Sequence, residues 1–362
     1  MCSRRLVVAL GLMSLASLVS APAWACTGIT LRAQDGSVIY ARTMEFGHDF
    51  HSAAIVIPRG HAFVGTAPTG QGMTWSAKYR LVGANGLQMP IVLDGLNEKG
   101  LTCGLFYFPG YAGYQEVTPA DAPRTIAPWE LASWILSQFA TVDEVREKLP
   151  EIRVAPVALP AWGFVPPAHY VVHDAAGNCL VIEYVDGKLH VYDNPIGVIT
   201  NAPTFDWHLT NLRNYVNLTA DNAPVRELDG VQFEQFGQGS GMHGLPGDFT
   251  PPSRFVRAVA LSKSARPGAT GPEAIEQALH ILDNFDIPLG TVRSPGDKQV
   301  EDEITEWTTA SDTKARRFYF HTHGNRRVRM IDLAKVNLDA KEIVTVPMDQ
   351  QPDVQDLTPK GE

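Results

Sequence analysis

The stretch "APAWACTGITLRAQDGSVIYARTMEF", residues 21–46, has a cysteine directly behind an Ala-x-Ala pattern. Two arginines and an apolar run come before it, and small residues at Ala23 and Ala25 are what a signal peptidase cuts after. Residues 1–25 are therefore predicted to be a signal peptide, which leaves Cys26 as the first residue of the mature chain. The protein is predicted to be exported, to the periplasm if the source is Gram-negative and otherwise out of the cell.

Cys26 at this place has a second explanation. Bacterial lipoproteins also begin with cysteine after processing, and a lipid then occupies the thiol. That pattern favours leucine three residues before the cysteine and a small residue ahead of it, whereas this chain has Ala23 and the bulky Trp24 there. An exported lipoprotein or non-catalytic binding protein is thus the alternative from a different class.

Length and charge limit the remaining possibilities. The chain has 362 residues, 30 Lys and Arg against 39 Asp and Glu, and a formal net charge of −9. After the signal peptide the chain is long enough for a sizeable core, and we predict one domain over residues 26–348 with a tail over 349–362. Negative charge disfavours nucleic acid and anionic membranes, and no later stretch is apolar for long enough to span a bilayer. A small-molecule partner is predicted.

Three cysteines remain once the signal peptide is removed, an odd number for an exported protein. Cys103 and Cys179 lie in strand-like runs and are interpreted as small buried hydrophobes, with a disulfide between them as the alternative. His321 and His323 have the spacing of one strand face, but no Cys, Asp or Glu partner recurs beside them. Neither a metal nor an organic cofactor is predicted.

The opening stretch also has the pattern of a β-hairpin. Two alternating runs rich in β-branched residues flank Asp35-Gly36, a strong tight-turn signal. Pairing around that turn returns the end of the second run to the start of the first. Cys26 is therefore predicted to lie near Arg42 and Glu45, and a one-residue bulge would decide which of them faces it.

A terminal cysteine can supply both a nucleophile and a base. The thiolate is the attacking form, and the ordinary thiol pKa near 8.5 leaves little of it at neutral pH. The α-amine, with a pKa of about 7.7–8.0, is a base on the same residue. Such a centre needs positive charge beside the sulfur, a carboxylate for the amine and donors for an oxyanion, and Arg42 and Glu45 are of the right types for the first two.

Strand and helix patterns alternate along the rest of the chain. Residues 168–201 have the pattern of four consecutive strands, and strands return in residues 306–333. Helical periodicity occupies residues 127–150, where Thr141 and Glu144 form a capping box, and also residues 205–216, 253–265 and 271–285. Without a Pro/Ser linker between these blocks, an α+β body of packed sheets covered by helices is predicted.

Joined together, these motifs resemble the choloylglycine hydrolases, which include penicillin V acylases and conjugated bile salt hydrolases. The resemblance rests on "CTGITL", "ARTMEF", "LDGLNEKGL", "FYFPGY", "NPIGVITNAPTFDWHLTNLRNY", "GLPGDFTPPSRFVRA" and "FYFHTHGNRRVRMIDL", in the family's order. It implies a four-layer αββα N-terminal-nucleophile hydrolase fold with two stacked, mainly antiparallel sheets. It also implies hydrolysis of a linear, non-peptide amide without a cofactor, by a homo-oligomer, either a tetramer or a dimer.

The resemblance assigns roles residue by residue. Cys26 matches the nucleophile, and Arg42 matches the arginine beside its sulfur. Glu45 falls where the family usually has Asp, so the geometry of this acid is an open question. Asn201, in "TNAP", matches the asparagine of the oxyanion hole, and Arg254, in "SRFVR", matches the arginine that closes the charge network.

Tyr107 bears on the substrate. It falls where penicillin V acylases carry Tyr and bile salt hydrolases usually carry Asn; its backbone N–H would complete the oxyanion hole. The resemblance therefore favours an acyl amide of the penicillin V or N-acyl homoserine lactone type, with a conjugated bile salt as the alternative.

Overall fold

A computed structural model describes residues 25–47, 49–293, 302–337, 340–348 and 350–359. The predicted signal peptide lies outside them except for Ala25. The strands, in chain order, are β1 (Cys26–Arg32), β2 (Val38–Phe46), β3 (Ala53–Ile57), β4 (Ala62–Ala67), β5 (Gly70–Ser76), β6 (Leu81–Ala84), β7 (Asp94–Asn97), β8 (Thr102–Tyr107), β9 (Thr125–Ile126), β10 (Arg153–Val154), β11 (Ala168–His173), β12 (Cys179–Val185), β13 (Lys188–Asp193), β14 (Arg226–Leu228), β15 (Val231–Phe233), β16 (Ile304–Asp312), β17 (Arg317–Thr322), β18 (Arg329–Asp332) and β19 (Val344–Pro347).

The helices are α1 (Leu131–Gln138), α2 (Val142–Lys148), α3 (Phe205–Asn211), α4 (Pro251–Ser264) and α5 (Gly271–Leu282). They fall in the segments where helical periodicity was predicted. The capping box of α2 is confirmed, because the Thr141 side chain accepts a hydrogen bond from the Glu144 backbone N–H at 3.2 Å. Described residues contain no helix with the length and apolar character that a membrane crossing requires.

Two antiparallel sheets form the body. The five-stranded sheet has the order β1-β2-β16-β17-β18, and the eight-stranded sheet has the order β13-β12-β11-β8-β7-β6-β3-β19. The predicted hairpin is β1–β2, whose turn contains Gly36 at a φ of +86°, a backbone region that glycine adopts without strain. In this hairpin Cys26 pairs with Met44.

The predicted αββα layering is confirmed. Helix α4 packs on β1 and helix α5 on β1, β2 and β16, which covers the outer face of the five-stranded sheet. Helix α1 packs on β7 and β8, outside the eight-stranded sheet. Between the sheets lies a core to which β1, β2, β11 and β12 contribute, and a second core fills the space under α1 and α2.

The segment after β13 differs from its predicted fourth strand. It leaves the eight-stranded sheet and contacts β1 through one bridge, in which Gly28 and Ile199 exchange backbone hydrogen bonds of 2.8 and 3.0 Å. A side chain at Gly28 would come within 2.9 Å of both Ile199 and Phe106, so glycine permits this approach. Alternation alone could not reveal the crossing, and its consequence is that Asn201 reaches the start of β1.

Cys103 and Cys179 are buried on β8 and β12, and both are free thiols. This confirms the first interpretation of these residues and excludes the disulfide. His321 lies on β17, and within the described ranges no group of three or more His, Cys, Asp and Glu is placed to hold a metal ion. Strand β19 ends at Pro347, while the boundaries 26–348 and 349–362 stay predictions.

Candidate active site

Cys26 is the first residue of β1 and is only 2% exposed. The structure includes Ala25 ahead of it, so its nitrogen is part of a peptide bond here. The Ala25 carbonyl accepts a hydrogen bond from the Glu45 backbone N–H at 3.0 Å. The Cys26 N–H donates to the Asn201 side-chain oxygen Oδ1 at 2.8 Å. The bond that the predicted cleavage would break is therefore held on both sides.

Arg254 and Asn201 surround the backbone of Cys26. Arg254, on α4, donates through Nη2 to Asn201 Oδ1 at 2.6 Å, and through Nη1 to the Cys26 carbonyl oxygen and, at 2.8 Å, to Thr27 Oγ1. Its Nε donates to the Phe249 carbonyl at 2.9 Å, so three of its nitrogens are engaged. Arg254 and Asn201 are both fully buried. Their shared contacts give this part of the site one well-defined arrangement.

Asn201 also joins the site to the end of β8. Its Nδ2 donates to the Tyr107 carbonyl oxygen at 2.8 Å. An amide nitrogen carries two hydrogens, so a second one is available to a further acceptor. Asn201 and Tyr107 are therefore neighbours beside Cys26.

Arg42 lies on the same hairpin as Cys26 but does not face it directly. Its Nη1 donates to the Leu105 carbonyl at 2.5 Å, and its guanidinium lies 4.1 Å from the centre of the Phe106 ring. Met44 Sδ lies 3.7 Å from Cys26 Sγ and 3.6 Å from Arg42 Nη2. The register thus decides the question that the sequence left open, since Met44 is paired with Cys26 and its sulfur contacts both the thiol and Arg42.

Glu45 has a second carboxylate close to it. Thr305 on β16 pairs with Glu45 on β2, and Thr305 Oγ1 lies 3.5 Å from Glu45 Oε1. Glu303, two residues before Thr305, is also buried, and it accepts a hydrogen bond from the Ala25 N–H. Among the described residues, Glu45 Oε2 and Glu303 Oε1 have no hydrogen-bond partner. Two incompletely bonded carboxylates therefore lie beside the Ala25–Cys26 bond.

The charges of the site depend on burial. Burial raises the pKa of the Cys26 thiol, while Arg42 and Arg254 oppose that rise. Burial raises the pKa of Glu45 to about 8, against the lowering effect of Arg254. Burial likewise raises the pKa of Glu303 to about 7. With Ala25 attached, the thiol is therefore protonated at neutral pH and Glu45 is largely protonated as well.

An apolar cavity opens at Cys26. Its walls are apolar or aromatic apart from Glu45, and they are formed by Cys26, Met44, Glu45, Phe46, Phe50, Gly86, Leu87, Met89, Ile91, Leu93, Leu105, Tyr107, Trp129, Leu159, Trp162, Pro166 and Pro167. Phe46 stacks on Trp162 with ring centres 5.7 Å apart, and Phe50 lies against both rings. Such walls suit an apolar acyl group.

The structure brings all six predicted site residues together around the start of β1: Cys26, Arg42, Glu45, Tyr107, Asn201 and Arg254. Sequence reasoning missed Met44 and Glu303. Strict alternation in the hairpin, counted back from the turn, could have identified Met44. For Glu303 no local signal exists, because its place follows from the pairing of β16 with β2, more than 250 residues away.

Comparisons with known proteins identify the family. Residues 26–346 match the model of the linear amide C–N hydrolases, choloylglycine hydrolase family. A bile salt hydrolase/transferase from Clostridium perfringens is 34% identical over 324 residues, which cover 88% of this chain and 96% of that protein. A penicillin V acylase from Pectobacterium atrosepticum is 29% identical over 91% of this chain and 86% of its own length.

Solved structures give the same result. The crystal structure of a variant of the conjugated bile acid hydrolase from Clostridium perfringens superposes with a TM-score of 0.82 at 31% identity, and covers 92% of this chain and all of that one. The chain belongs to the choloylglycine hydrolase family. The predicted enzyme class, a linear amide C–N hydrolase, is confirmed with it.

Proposed function

We propose that the mature protein hydrolyses conjugated bile salts, with Cys26 as an N-terminal nucleophile. The observation that carries the proposal is the position of Cys26, which lies between the Asn201–Arg254 network and an apolar cavity. A steroid acyl group is largely apolar, which suits the walls of this cavity. The relative from Clostridium perfringens, named as a bile salt hydrolase/transferase, supports this substrate over the one that the sequence favoured.

The chemistry starts when cleavage turns the nitrogen of Cys26 into an amine. That amine takes the thiol proton, and Sγ attacks the amide carbonyl carbon, so that a C–S bond forms and the carbonyl electrons move onto oxygen. The second hydrogen of Asn201 Nδ2 and the Tyr107 N–H donate to this oxyanion. The ammonium then protonates the leaving amine, the C–N bond breaks, and water hydrolyses the thioester with return of the proton to Cys26.

The two carboxylates fit the same proposal. An α-ammonium group at residue 26 would form beside Glu45 and Glu303, and either acid could accept a hydrogen bond from it. Positive charge there lowers the pKa of a nearby thiol and favours the thiolate. The longer Glu45 in place of the family's Asp would therefore still serve the amine, with Glu303 as its companion.

A penicillin V-type amide is the second candidate, because of Tyr107. Its side chain lines the cavity and is buried, and Phe46 and Trp162 offer a stacked aromatic wall on which a phenoxy ring could lie. A long-chain N-acyl homoserine lactone would use the same apolar space. The Tyr107 ring forms part of the cavity wall, so its shape would decide whether these acyl groups or a steroid fit better.

Side-by-side turnover tests the proposal. The mature protein and its Cys26→Ala variant are assayed with glycocholate, penicillin V and a long-chain N-acyl homoserine lactone. We expect glycocholate to give the highest kcat/KM, and the folded Cys26→Ala protein to hydrolyse none of the three. Higher kcat/KM for penicillin V would favour the second candidate, and comparable turnover by Cys26→Ala would refute the Cys26 mechanism.

Export and cleavage after Ala25 are part of the same proposal. An intact mass of the protein recovered from the cell envelope tests them. A chain that starts at Cys26 without further mass supports the hydrolase, whereas a diacylglyceryl addition on Cys26 would assign it to the lipoproteins and exclude the mechanism.

We also propose that the protein is a homo-oligomer, as the family resemblance implies. The hairpin of β14 and β15 supports this, because it exposes Val231 and Phe233, with Phe236 beyond it. Light scattering of the mature protein should give the mass of a dimer or a tetramer, and a monomer at micromolar concentration would contradict the proposal.

A further inference from the structure

Two buried histidines hold the backbone that carries Asn201. His169, on β11, lies with Nε2 at 2.9 Å from the Thr200 carbonyl oxygen. His208, on α3, lies with Nε2 at 3.0 Å from the Asn201 carbonyl oxygen. A carbonyl oxygen can only accept, so Nε2 carries the hydrogen in both rings. Two consecutive carbonyls beside the oxyanion site are thus each fixed by an imidazole.

His169 also touches the other half of the same site. Its ring stacks on Phe108 with centres 4.3 Å apart and planes inclined by 4°. Phe108 directly follows Tyr107, the residue whose backbone N–H is the second proposed oxyanion donor. One side chain therefore contacts the segment of Asn201 by a hydrogen bond and the segment of Tyr107 by its ring face.

The orientation of the two rings is itself fixed. His169 Nδ1 lies 3.2 Å from Glu183 Oε1, and the same oxygen accepts the Phe205 N–H at 2.9 Å. His208 stacks on Phe255 with ring centres 4.5 Å apart. Burial lowers the pKa of His208 to about 4, so its ring is neutral at neutral pH. Both rings therefore keep one orientation, which is what a support for a catalytic donor requires.

We propose that His169 is a positioning residue that holds the Asn201 side chain and the Tyr107 backbone in the arrangement that binds the oxyanion, with His208 fixing the same segment from α3. The inference rests on the proposed function of Asn201 and Tyr107. Donors aimed at a developing oxyanion act only when they are held in place, and a displacement of about 1 Å can cost on the order of 10²-fold in rate. Neither histidine needs to touch the substrate.

The test compares variants that differ in the hydrogen bond from His169. His169→Leu removes the donor to Thr200, while His169→Gln keeps an amide N–H at a similar reach. His173→Leu is the matched control, since His173 lies four residues further along β11, is equally buried, and bonds to Thr30 instead. If His169→Leu does not fold, a double variant that also carries Glu183→Gln replaces the acid that has lost its histidine partner. The amide oxygen of that glutamine can still accept from the Phe205 N–H.

Two readouts separate positioning from general damage. The first is kcat and KM for glycocholate, penicillin V or the N-acyl homoserine lactone, whichever the wild type turns over fastest. The second is the rate of Cys26 alkylation by iodoacetamide, which needs the thiolate and no oxyanion donor. We expect His169→Leu, or the double variant, to lower kcat about 10²-fold while KM and the alkylation rate stay within about twofold. His169→Gln should recover most of the loss, and His173→Leu should stay near wild type.

The opposite outcomes are equally clear. A folded variant without the donor that keeps its kcat within threefold would overturn the inference, as would a parallel loss of alkylation and turnover. If the wild type hydrolyses none of the three amides, the proposed function fails first and the inference fails with it.

Discussion

Cys26 separates two regions of opposite chemistry. On one side Asn201, Arg254 and Glu45 contact the backbone on either side of the Ala25–Cys26 bond through hydrogen bonds. On the other side lies the apolar cavity, with Phe46 and Trp162 stacked at its wall. Strands and a helix provide most of the polar region, whereas the cavity also draws on the connections between β6 and β7 and between β10 and β11.

This difference separates rate from selectivity. Arg254 lies on a helix, and Asn201, between β13 and α3, is held by hydrogen bonds to Arg254 and Tyr107, so the polar region should govern the chemical step. Loops change shape more readily, so the cavity should govern which acyl group binds. Changes in the first region are expected to lower kcat, and changes in the second to alter KM and substrate preference.

The largest effect is expected for Asn201→Ala. It removes an oxyanion donor and the acceptor for the Cys26 nitrogen, so kcat should fall about 10²- to 10³-fold with little change in KM. Steady-state kinetics check this. Asn178→Ala is the control, because the Asn178 side chain bonds to Asp174 in a turn. Equal, small losses in both variants would remove Asn201 from the chemistry.

A smaller effect is expected for Trp162→Ala. The change removes a ring from the cavity wall and leaves the polar region intact, so kcat/KM should fall roughly tenfold, mostly through KM. Trp75→Ala, which breaks a stacked pair with Phe63 away from the cavity, should leave KM unchanged. The comparison between the two regions would be wrong if Trp162→Ala lowered kcat and left KM as it was.

The smallest effect concerns pH and stability. The chain is taken to begin at N-acetylated Ala25 and to carry Cys26→Ala, so that no α-ammonium group forms beside Glu45 and Glu303. Burial raises the pKa of Glu45 to about 8 and of Glu303 to about 7, above the roughly 4.3 of an unfolded Glu. The folded chain then binds more protons than the unfolded chain, so its free energy of unfolding should fall as pH rises from about 4.5 to 8.

Glu303→Gln in that background should flatten this fall, since one of the two titrating groups is gone. Urea unfolding midpoints at pH 5, 6, 7 and 8 measure how steeply stability falls with pH in each chain. If the curves with and without Glu303→Gln are parallel, Glu303 does not contribute to the pH dependence. Glu227→Gln, on the exposed strand β14, is the control and should leave the slope unchanged.

Local patterns predicted the fold better than the site. The β1–β2 hairpin and α2 follow from neighbouring residues such as Asp35-Gly36 and Thr141, so the sequence was sufficient for them. Two features depend on contacts between distant segments, which no periodicity encodes. Glu303 comes close to Glu45, and residues 195–201 cross to Gly28. Asn201 and Arg254 were assigned only through the family resemblance, because without it each has an ordinary turn or helix interpretation.

The central claim is that the free amine of Cys26 is the base that activates its own thiol. The most direct test compares turnover of the chain that begins at Cys26 with turnover of the same chain that retains Ala25, with both N-termini checked by intact mass after the assay. An amide nitrogen is no base, so turnover should be about 10²- to 10⁴-fold lower while Ala25 is attached. Equal turnover by a chain that still carries Ala25 would contradict the account.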